Sequence, residues 1–161
     1  MKILNLIVAI FTLSLPIEVV ASVEIPQLSR IQNEVEATKT VVDPRIEKLN
    51  EFFRNYSCPQ PFRSEQYILV ADKYEIPYTL LPVISLKESS CGKKVFRQNN
   101  WWGYGSVRFL SLEEGMDFIA KQLSSGKYYK GKTLVQKLKT YNSVNKNYPS
   151  HALQLMSKIE N

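Results

Sequence analysis

Apolar residues recur at helical spacing along most of the chain that follows residue 42. In the first such segment Ile46, Leu49 and Phe53 share one face, and Asp43-Pro44 before them is typical of an N-cap followed by a first-turn proline. The same spacing predicts five further helices along the chain. The residues of their apolar faces are, helix by helix, Tyr67, Val70, Ala71 and Tyr74; Leu81 and Ile84; Leu112, Met116, Ile119 and Leu123; Leu134, Leu138 and Tyr141; and Ala152, Leu155, Met156 and Ile159. Because no stretch alternates apolar and polar residues over a convincing length, the predicted fold class is mostly α.

Polar residues at the starts of two of these segments predict helix boundaries. Ser64 is a candidate N-cap of the second helix, since its hydroxyl is able to accept from a free backbone N–H. Ser111 and Glu114 have the spacing of a capping box in front of the fourth helix.

The N-terminal segment has the pattern of an export signal. After Lys2 the chain is uncharged and apolar up to Leu15, and small residues suited to processing end at Ala21. Pro16 and Glu18 interrupt the run before the roughly 20 apolar residues that an uncleaved anchor needs. We therefore predict a signal peptide at 1–21, a polar arm at 22–42, one domain at 43–161, and a location in the periplasm or outside the cell.

Export changes the interpretation of the two cysteines, because oxidising compartments preserve disulfides. Cys58 and Cys91 are the only cysteines in the chain, and we predict that they bond to each other, with two separate buried thiols as the alternative. A crosslink over this span stabilises a fold by about 3–4 kcal/mol in the chain-entropy description. A metal site is not expected, because the chain has one histidine, His151, and no paired cysteine motif.

The formal net charge is +6, from 21 basic and 15 acidic residues. A basic exported protein is attracted to anionic polymers or membrane surfaces. The lysines are scattered and no nucleic-acid motif surrounds them, so nucleic acid is not an expected partner. No segment after residue 21 is apolar enough to cross a membrane, so no stable span is expected after processing.

The third predicted helix carries a glutamate in its last turn, where a negative charge is unfavourable. The third helix is predicted to begin near Thr79, with Pro82 in its first turn, and to end at the sequence Ser-Ser-Cys-Gly of residues 89–92. Glu88 then lies in the last turn, at the negative end of the helix dipole, on the same face as the apolar residues 81 and 84. Both surroundings favour the protonated carboxylic acid, which is the form that a general acid needs. The alternative is an exposed glutamate paired with nearby lysines at 87, 93 and 94.

The segment after this helix has the composition of a sugar-binding loop. Residues 99–105, Asn-Asn-Trp-Trp-Gly-Tyr-Gly, combine amides, flat aromatic faces and glycines, and we expect one of the two tryptophans to lie in the core. The stretch from Ala71 to Gly105, ADKYEIPYTLLPVISLKESSCGKKVFRQNNWWGYG, resembles the lysozyme-like glycosidases of the bacterial cell wall, in the branch of endo-β-N-acetylglucosaminidases and lytic transglycosylases. The matching positions are Glu88, Ser89, Gly92, Asn99, Asn100 and Gly103, and the family's later Tyr-Asn pair is similar to Tyr141-Asn142.

The resemblance implies a lysozyme-like single domain with a cleft that binds the glycan strands of peptidoglycan. It implies cleavage of β-1,4 glycosidic bonds with Glu88 as the general acid, Tyr141 near it as a second catalytic residue, and no cofactor. The substrate-binding residues that follow from the matched block are Ser89, Asn99, Asn100, Trp102 and Tyr104. We expect a monomer. Tyr141 also continues the apolar face of its helix, so core packing is equally open for it.

Most glycosidases use two carboxylates, and the sequence offers only three weak candidates for a second one. Glu113 and Glu114 suit the positive start of the fourth helix, and Asp117 lies one turn further on. We therefore expect a single-acid enzyme in which a group of the sugar acts as nucleophile, with hydrolysis by a water near Tyr104 or Tyr141 also open. The alternative function is a non-catalytic, secreted module that binds peptidoglycan or another carbohydrate on the same fold.

Overall fold

Six α-helices carry the fold of residues 42–161, the part of the chain that the computed structural model describes. They are α1 (Pro44–Asn55), α2 (Ser64–Lys73), α3 (Leu80–Ser89), α4 (Leu112–Ser125), α5 (Leu134–Tyr141) and α6 (Tyr148–Glu160). No strand occurs within these residues, which confirms the prediction of a mostly α fold. The predicted signal peptide at 1–21 and all but the last residue of the predicted arm at 22–42 lie outside the described residues.

The first helix begins as its sequence predicts. The Asp43 carboxylate accepts a hydrogen bond from the backbone N–H of Arg45 at 2.9 Å, and Pro44 is the first helical residue. The Arg45 guanidinium also donates to Asp72 at 2.7 and 2.8 Å, which joins the start of α1 to α2.

Ser64 does not cap α2, contrary to the sequence prediction. It is the first residue of the helix, and its buried hydroxyl donates to Oδ1 of Asn50 in α1 at 2.7 Å. A hydrogen bond to a neighbouring helix is available here because α1 and α2 pack against each other.

Helix α3 is the most buried helix of the fold. It packs against α2, α4 and α6, and its residues from Leu80 to Ser85 are all buried. A helical segment that is apolar on every side is stable only inside a core, which explains the uninterrupted run Leu-Leu-Pro-Val-Ile at the start of α3. Pro82 lies in the first turn, as predicted. The glutamate at position 88 is therefore carried by a helix whose first six residues are fixed in the core.

The chain leaves α3 through two residues in the left-handed conformation, Ser90 and Cys91. The backbone N–H of Cys91 donates to the Ser85 carbonyl at 3.1 Å and that of Ser90 to the Leu86 carbonyl at 3.0 Å, which closes the last turn of the helix. Cys91 bonds to Cys58, which follows α1, with a Cα–Cα distance of 5.4 Å. The predicted disulfide is confirmed, and it fixes the end of α3 to the segment after α1.

Two helix starts differ from the sequence prediction. At α4 the Ser111 hydroxyl accepts from the Glu114 N–H at 3.1 Å, but the Glu114 carboxylate accepts from the N–H of Leu110, so only half of the capping box forms. Helix α6 begins at Tyr148, about one turn before the apolar pattern at Ala152. Within residues 42–161 no helix combines the length and the apolar content that crossing a bilayer requires.

Candidate functional site

Glu88 lies half-buried in the last turn of α3, facing the start of α6. The hydroxyl of Tyr148 donates to Oε1 of Glu88 at 2.8 Å, and the Tyr148 side chain is buried. This hydrogen bond occupies one oxygen of the carboxyl group and fixes its position relative to α6.

The second oxygen of Glu88 lies beside Gly103, an exposed residue with φ of +63°. A Cβ atom added at Gly103 would come within 2.9 Å of Oε2 of Glu88 and 3.1 Å of its Cβ. The chain needs glycine here for two reasons, the left-handed conformation and the close approach to the carboxyl group. Because residue 103 has no side chain, the exposed loop backbone packs closely against Oε2.

Four tyrosines form a cluster centred on the Tyr141 ring, and two of them, Tyr141 and Tyr148, lie near the Glu88 carboxyl group. The rings of Tyr141 and Tyr148 stack with centroids 6.4 Å apart, and those of Tyr104 and Tyr129 lie 6.2 and 6.5 Å from that of Tyr141. The Tyr141 hydroxyl donates to the backbone carbonyl of Trp102, so the predicted catalytic tyrosine holds the residue before Gly103. We call Tyr104, Tyr129, Tyr141 and Tyr148 the tyrosine cluster.

Three members of the tyrosine cluster have raised pKa values, Tyr129, Tyr141 and Tyr148. Burial raises the pKa of Tyr141 well above 10, and the neighbouring Tyr148 and Glu88 raise it further. Burial also raises the pKa of Tyr148, with the nearby Glu88 carboxyl as the next cause. For Tyr129, burial and then Tyr104 raise the pKa to about 12. The hydroxyl groups of these three residues therefore act as hydrogen-bond donors rather than as bases.

A lysine covers the outer face of Tyr148. The Nζ atom of Lys87 lies 4.5 Å from the centroid of the Tyr148 ring, a distance at which a cation is attracted to an aromatic face. Among the described residues, the salt bridges do not include one between Glu88 and a lysine. The alternative of a Glu88 side chain neutralised by lysines 87, 93 and 94 is not the observed arrangement.

The predicted binding residues Ser89, Asn99 and Asn100 make hydrogen bonds that build the loop over Glu88. The buried Ser89 hydroxyl accepts from the Gly92 N–H at 2.8 Å and lies 2.7 Å from the Trp101 carbonyl. Asn99 donates to two backbone carbonyls, those of residues 109 and 110. Asn100 is buried, donates to two carbonyls at 104 and 107, and accepts from the N–H of residue 104. These side chains position the loop, and the burial of Ser89 and Asn100 leaves them no exposed surface for a sugar.

Trp102 is the tryptophan that lies in the core, and its burial does not support the predicted contact with substrate. Its side chain has 0% exposure, and its Nε1 donates to the Leu81 carbonyl at 3.2 Å. Trp101 is half-buried and packs over Gly92, where an added Cβ would lie 2.2 Å from the indole ring. Tyr104 is half-buried, with its ring 5.6 Å from that of Phe118, and is the predicted aromatic binding residue that retains accessible surface.

The three candidate second carboxylates are held by other partners. Asp117 accepts from Lys73 and Tyr74, and the hydrogen bond from Lys73 is the main cause that lowers its pKa. Glu113 bonds to Arg63, and hydrogen bonding to its own backbone N–H contributes most to lowering its pKa. Glu114 accepts from a backbone N–H. Glu88 is therefore the only one of the four carboxyl groups considered from the sequence that lies beside the tyrosine cluster.

Glu88 does not belong to a cluster of metal-ligating side chains in the part of the chain that the structure describes. Within residues 42–161, His, Cys, Asp and Glu side chains nowhere gather in a group of three or more that would hold a metal ion. His151 is exposed in the first turn of α6.

Sequence reasoning missed Tyr148, the residue in direct contact with Glu88. Tyr148 lies at the start of α6, next to Asn147 at the N-cap and Pro149 in the first turn. The order Asn-Tyr-Pro is a signal for a helix start, and it would have extended α6 to include this tyrosine. Tyr129 lies in the turn after α4 and has no comparable signal.

Comparison of the chain with protein-family models, curated proteins and solved structures gives no match. The resemblance carried by the segment from Ala71 to Gly105 stays a prediction.

Proposed function

We propose that this protein is an exported glycosidase that cleaves the β-1,4 bonds of peptidoglycan glycan strands, with Glu88 as its general acid and base. The main support for this proposal is the position of the Glu88 carboxyl group. Tyr148 holds Oε1 of the Glu88 carboxyl, while the half-buried Glu88 side chain keeps accessible surface and its Oε2 lies beside exposed Gly103. A carboxyl group fixed at one oxygen and close to the protein surface is suited to donating a proton to a glycosidic oxygen.

The surroundings support a route with a single carboxyl group. Glu88 protonates the leaving oxygen and afterwards accepts a proton from the attacking group. Asp117, Glu113 and Glu114 are engaged by Lys73, Arg63 and a backbone N–H, so none of them offers a free nucleophile beside Glu88. In this proposal the attacking group is a hydroxyl or N-acetyl group of the sugar, or a water molecule that enters beside Gly103.

The test is digestion of purified peptidoglycan sacculi by the full chain, followed by mass analysis of the released fragments. Anhydro ends identify a lytic transglycosylase and new reducing ends identify a hydrolase. Glu88→Gln is expected to lower the rate by at least about 100-fold, since general acid catalysis contributes roughly 10²–10⁴.

Glu113→Gln is the matched control, because it makes the same chemical change at a carboxylate that pairs with Arg63. Its digestion rate is expected to stay within about twofold of the unsubstituted chain. Sacculi that bind the protein but stay intact would identify the alternative, a carbohydrate-binding module in which Glu88 is only a hydrogen-bonding group. Equal digestion by the Glu88→Gln variant would remove Glu88 from the mechanism.

A further inference from the structure

Two large apolar side chains project into solvent from the loops between α3 and α4. Phe96 is 92% exposed and Leu110 is 90% exposed, and Val95 beside Phe96 is exposed as well. Isolated exposed apolar residues are ordinary, but exposed apolar patches rimmed by polar residues mark surfaces that bind a partner or a membrane.

Backbone hydrogen bonds bring these two loops together. The N–H of Phe109 donates to the Gln98 carbonyl at 3.1 Å, and the Asn99 amide donates to the carbonyls of Phe109 and Leu110 at 3.0 Å. Phe96 lies two residues before the first of these bonds and Leu110 one residue after it. The exposed residues 93–97, Arg108 and Leu110 are therefore close together, with the buried Phe109 between the last two, and we call the surface that they form the basic apolar surface.

The basic apolar surface has an excess of positive charge. The chain has no acidic residue between Ser89 and Leu112, and four exposed cations lie on the surface: Lys93, Lys94, Arg97 and Arg108. Of the two acidic residues that follow, Glu113 pairs with Arg63, and Glu114 accepts from the Leu110 N–H and adds one negative charge beside the four positive ones. None of the four cations takes part in a salt bridge within residues 42–161.

We propose that the basic apolar surface docks onto an anionic lipid bilayer. Phe96 and Leu110 enter the boundary between headgroups and acyl chains, and the four cations contact anionic headgroups. An anionic glycan polymer also attracts cations, but it provides no apolar phase in which Phe96 and Leu110 are buried. A bilayer that contains anionic lipid provides an apolar phase for the exposed apolar side chains and negative headgroups for the adjacent cations, so the combination favours the bilayer.

Docking in this way would place the proposed active site near the membrane. The two parts of the basic apolar surface lie on either side of Gly103 in the chain, within the segment that joins α3 to α4, and Gly103 is the residue beside Glu88. The inference does not depend on the proposed function, because vesicle binding is measured without substrate. Glu88→Gln is expected to bind vesicles as well as the unsubstituted chain does.

The experiment measures binding of the purified full chain to vesicles, by co-sedimentation at low ionic strength. The vesicles contain phosphatidylcholine alone or phosphatidylcholine with about 30% phosphatidylglycerol. The double variant Phe96→Ser, Leu110→Ser is expected to bind the anionic vesicles at least about tenfold more weakly. The fourfold variant Lys93→Gln, Lys94→Gln, Arg97→Gln, Arg108→Gln is expected to lose most of the preference for anionic lipid, since each cation contributes about fivefold.

Matched controls change equally exposed residues on other surfaces. Val144→Ser with Leu69→Ser removes two apolar side chains that are 92% and 68% exposed, and replacing the exposed Lys127, Lys130, Lys139 and Lys146 by Gln removes four charges. Every variant has the same residues 1–41, so any affinity of that segment for lipid is common to all. Circular dichroism confirms that the variants are folded.

Equal vesicle binding by the unsubstituted chain and both variants of the basic apolar surface would overturn the inference. The inference would also fail if the controls lost as much binding as those variants. If the variants lost affinity for purified anionic glycan polymer but kept their affinity for vesicles, the surface would be a polymer site instead.

Discussion

The hydroxyl of Tyr148 donates a hydrogen bond to Oε1 of Glu88, a residue 60 positions earlier in the chain. The contact joins the end of α3 to the start of α6, two helices that pack against each other. Because the Tyr148 hydroxyl keeps its proton, it remains a donor whatever the state of Glu88 during the proposed reaction. Tyr148 is thus a positioning residue for the carboxyl group.

Tyr148→Phe is expected to lower the rate of sacculus cleavage by about tenfold or more while the chain stays folded. The substitution keeps the ring and removes only the hydrogen bond that holds Oε1, and misplacing a reacting group is costly in rate. The measurement is kcat and KM on soluble glycan fragments. A purely structural role would lower the melting temperature and leave kcat of the folded fraction unchanged.

Gly103→Ala is expected to disturb Glu88 directly. The left-handed φ of +63° costs alanine about 1–2 kcal/mol, and the new Cβ would also lie 2.9 Å from Oε2 of Glu88. Gly131→Ala is the matched control, because Gly131 has φ of +74° and open space around it. In urea unfolding both variants should lose the stability that the left-handed conformation costs, Gly103→Ala should lose more because of its contact with Glu88, and only Gly103→Ala should lose the proposed activity. An active Gly103→Ala variant would show that the carboxyl group tolerates displacement.

Loss of the Cys58–Cys91 disulfide is expected to lower the free energy of unfolding by about 3–4 kcal/mol, since the bond closes a span of 33 residues. Urea unfolding of the Cys58→Ser, Cys91→Ser double variant measures this loss. Reducing agent should have the same effect on the unsubstituted chain and none on the double variant, because the chain has two cysteines. An unfolding midpoint unaffected by reducing agent would contradict the expected contribution.

The tyrosine cluster predicts a loss of stability at alkaline pH. Burial raises the pKa of Tyr129 to about 12 and raises the pKa values of Tyr141 and Tyr148 as well. Above pH 10 the unfolded chain releases these protons while the folded chain keeps them, so the unfolded state gains stability as pH rises. The contribution is fully present below pH 10 and, for Tyr129, is lost as pH rises through about 12.

Urea unfolding at several pH values between 9 and 12 measures this slope, and absorbance at 295 nm follows tyrosine ionisation. Tyr129→Phe should show a shallower decline than the unsubstituted chain, because one of the shifted groups is gone. Parallel declines would mean that Tyr129 ionises alike in the folded and unfolded chains.

Local patterns were sufficient to predict several features of the fold. Asp43-Pro44 marks the start of α1 because the cap uses only neighbouring residues. The apolar run of α3 and the position of Pro82 in its first turn follow from rules that act within one helix. The disulfide was predictable because Cys58 and Cys91 had no other partner in the chain.

The details of the candidate site depend on contacts between distant residues. No local pattern pairs Tyr148 with Glu88, because the contact arises only when α6 packs on α3. Which tryptophan enters the core depends on the path of the loop, and that path is fixed by the hydrogen bonds of the buried Asn100. The composition of residues 99–105 suggested a sugar-binding surface, whereas much of it is used to hold the loop together.

The burial of residues 80–85 of α3 has a consequence for local opening of the fold. This part of the helix has no exposed side chain and no low-energy way to fray independently, so its amide hydrogens should exchange with solvent only when the whole fold opens. Glu88 lies in the half-buried turn that follows and is anchored to this segment. Heat or denaturant should therefore abolish the proposed catalysis and the tertiary structure in a single cooperative event.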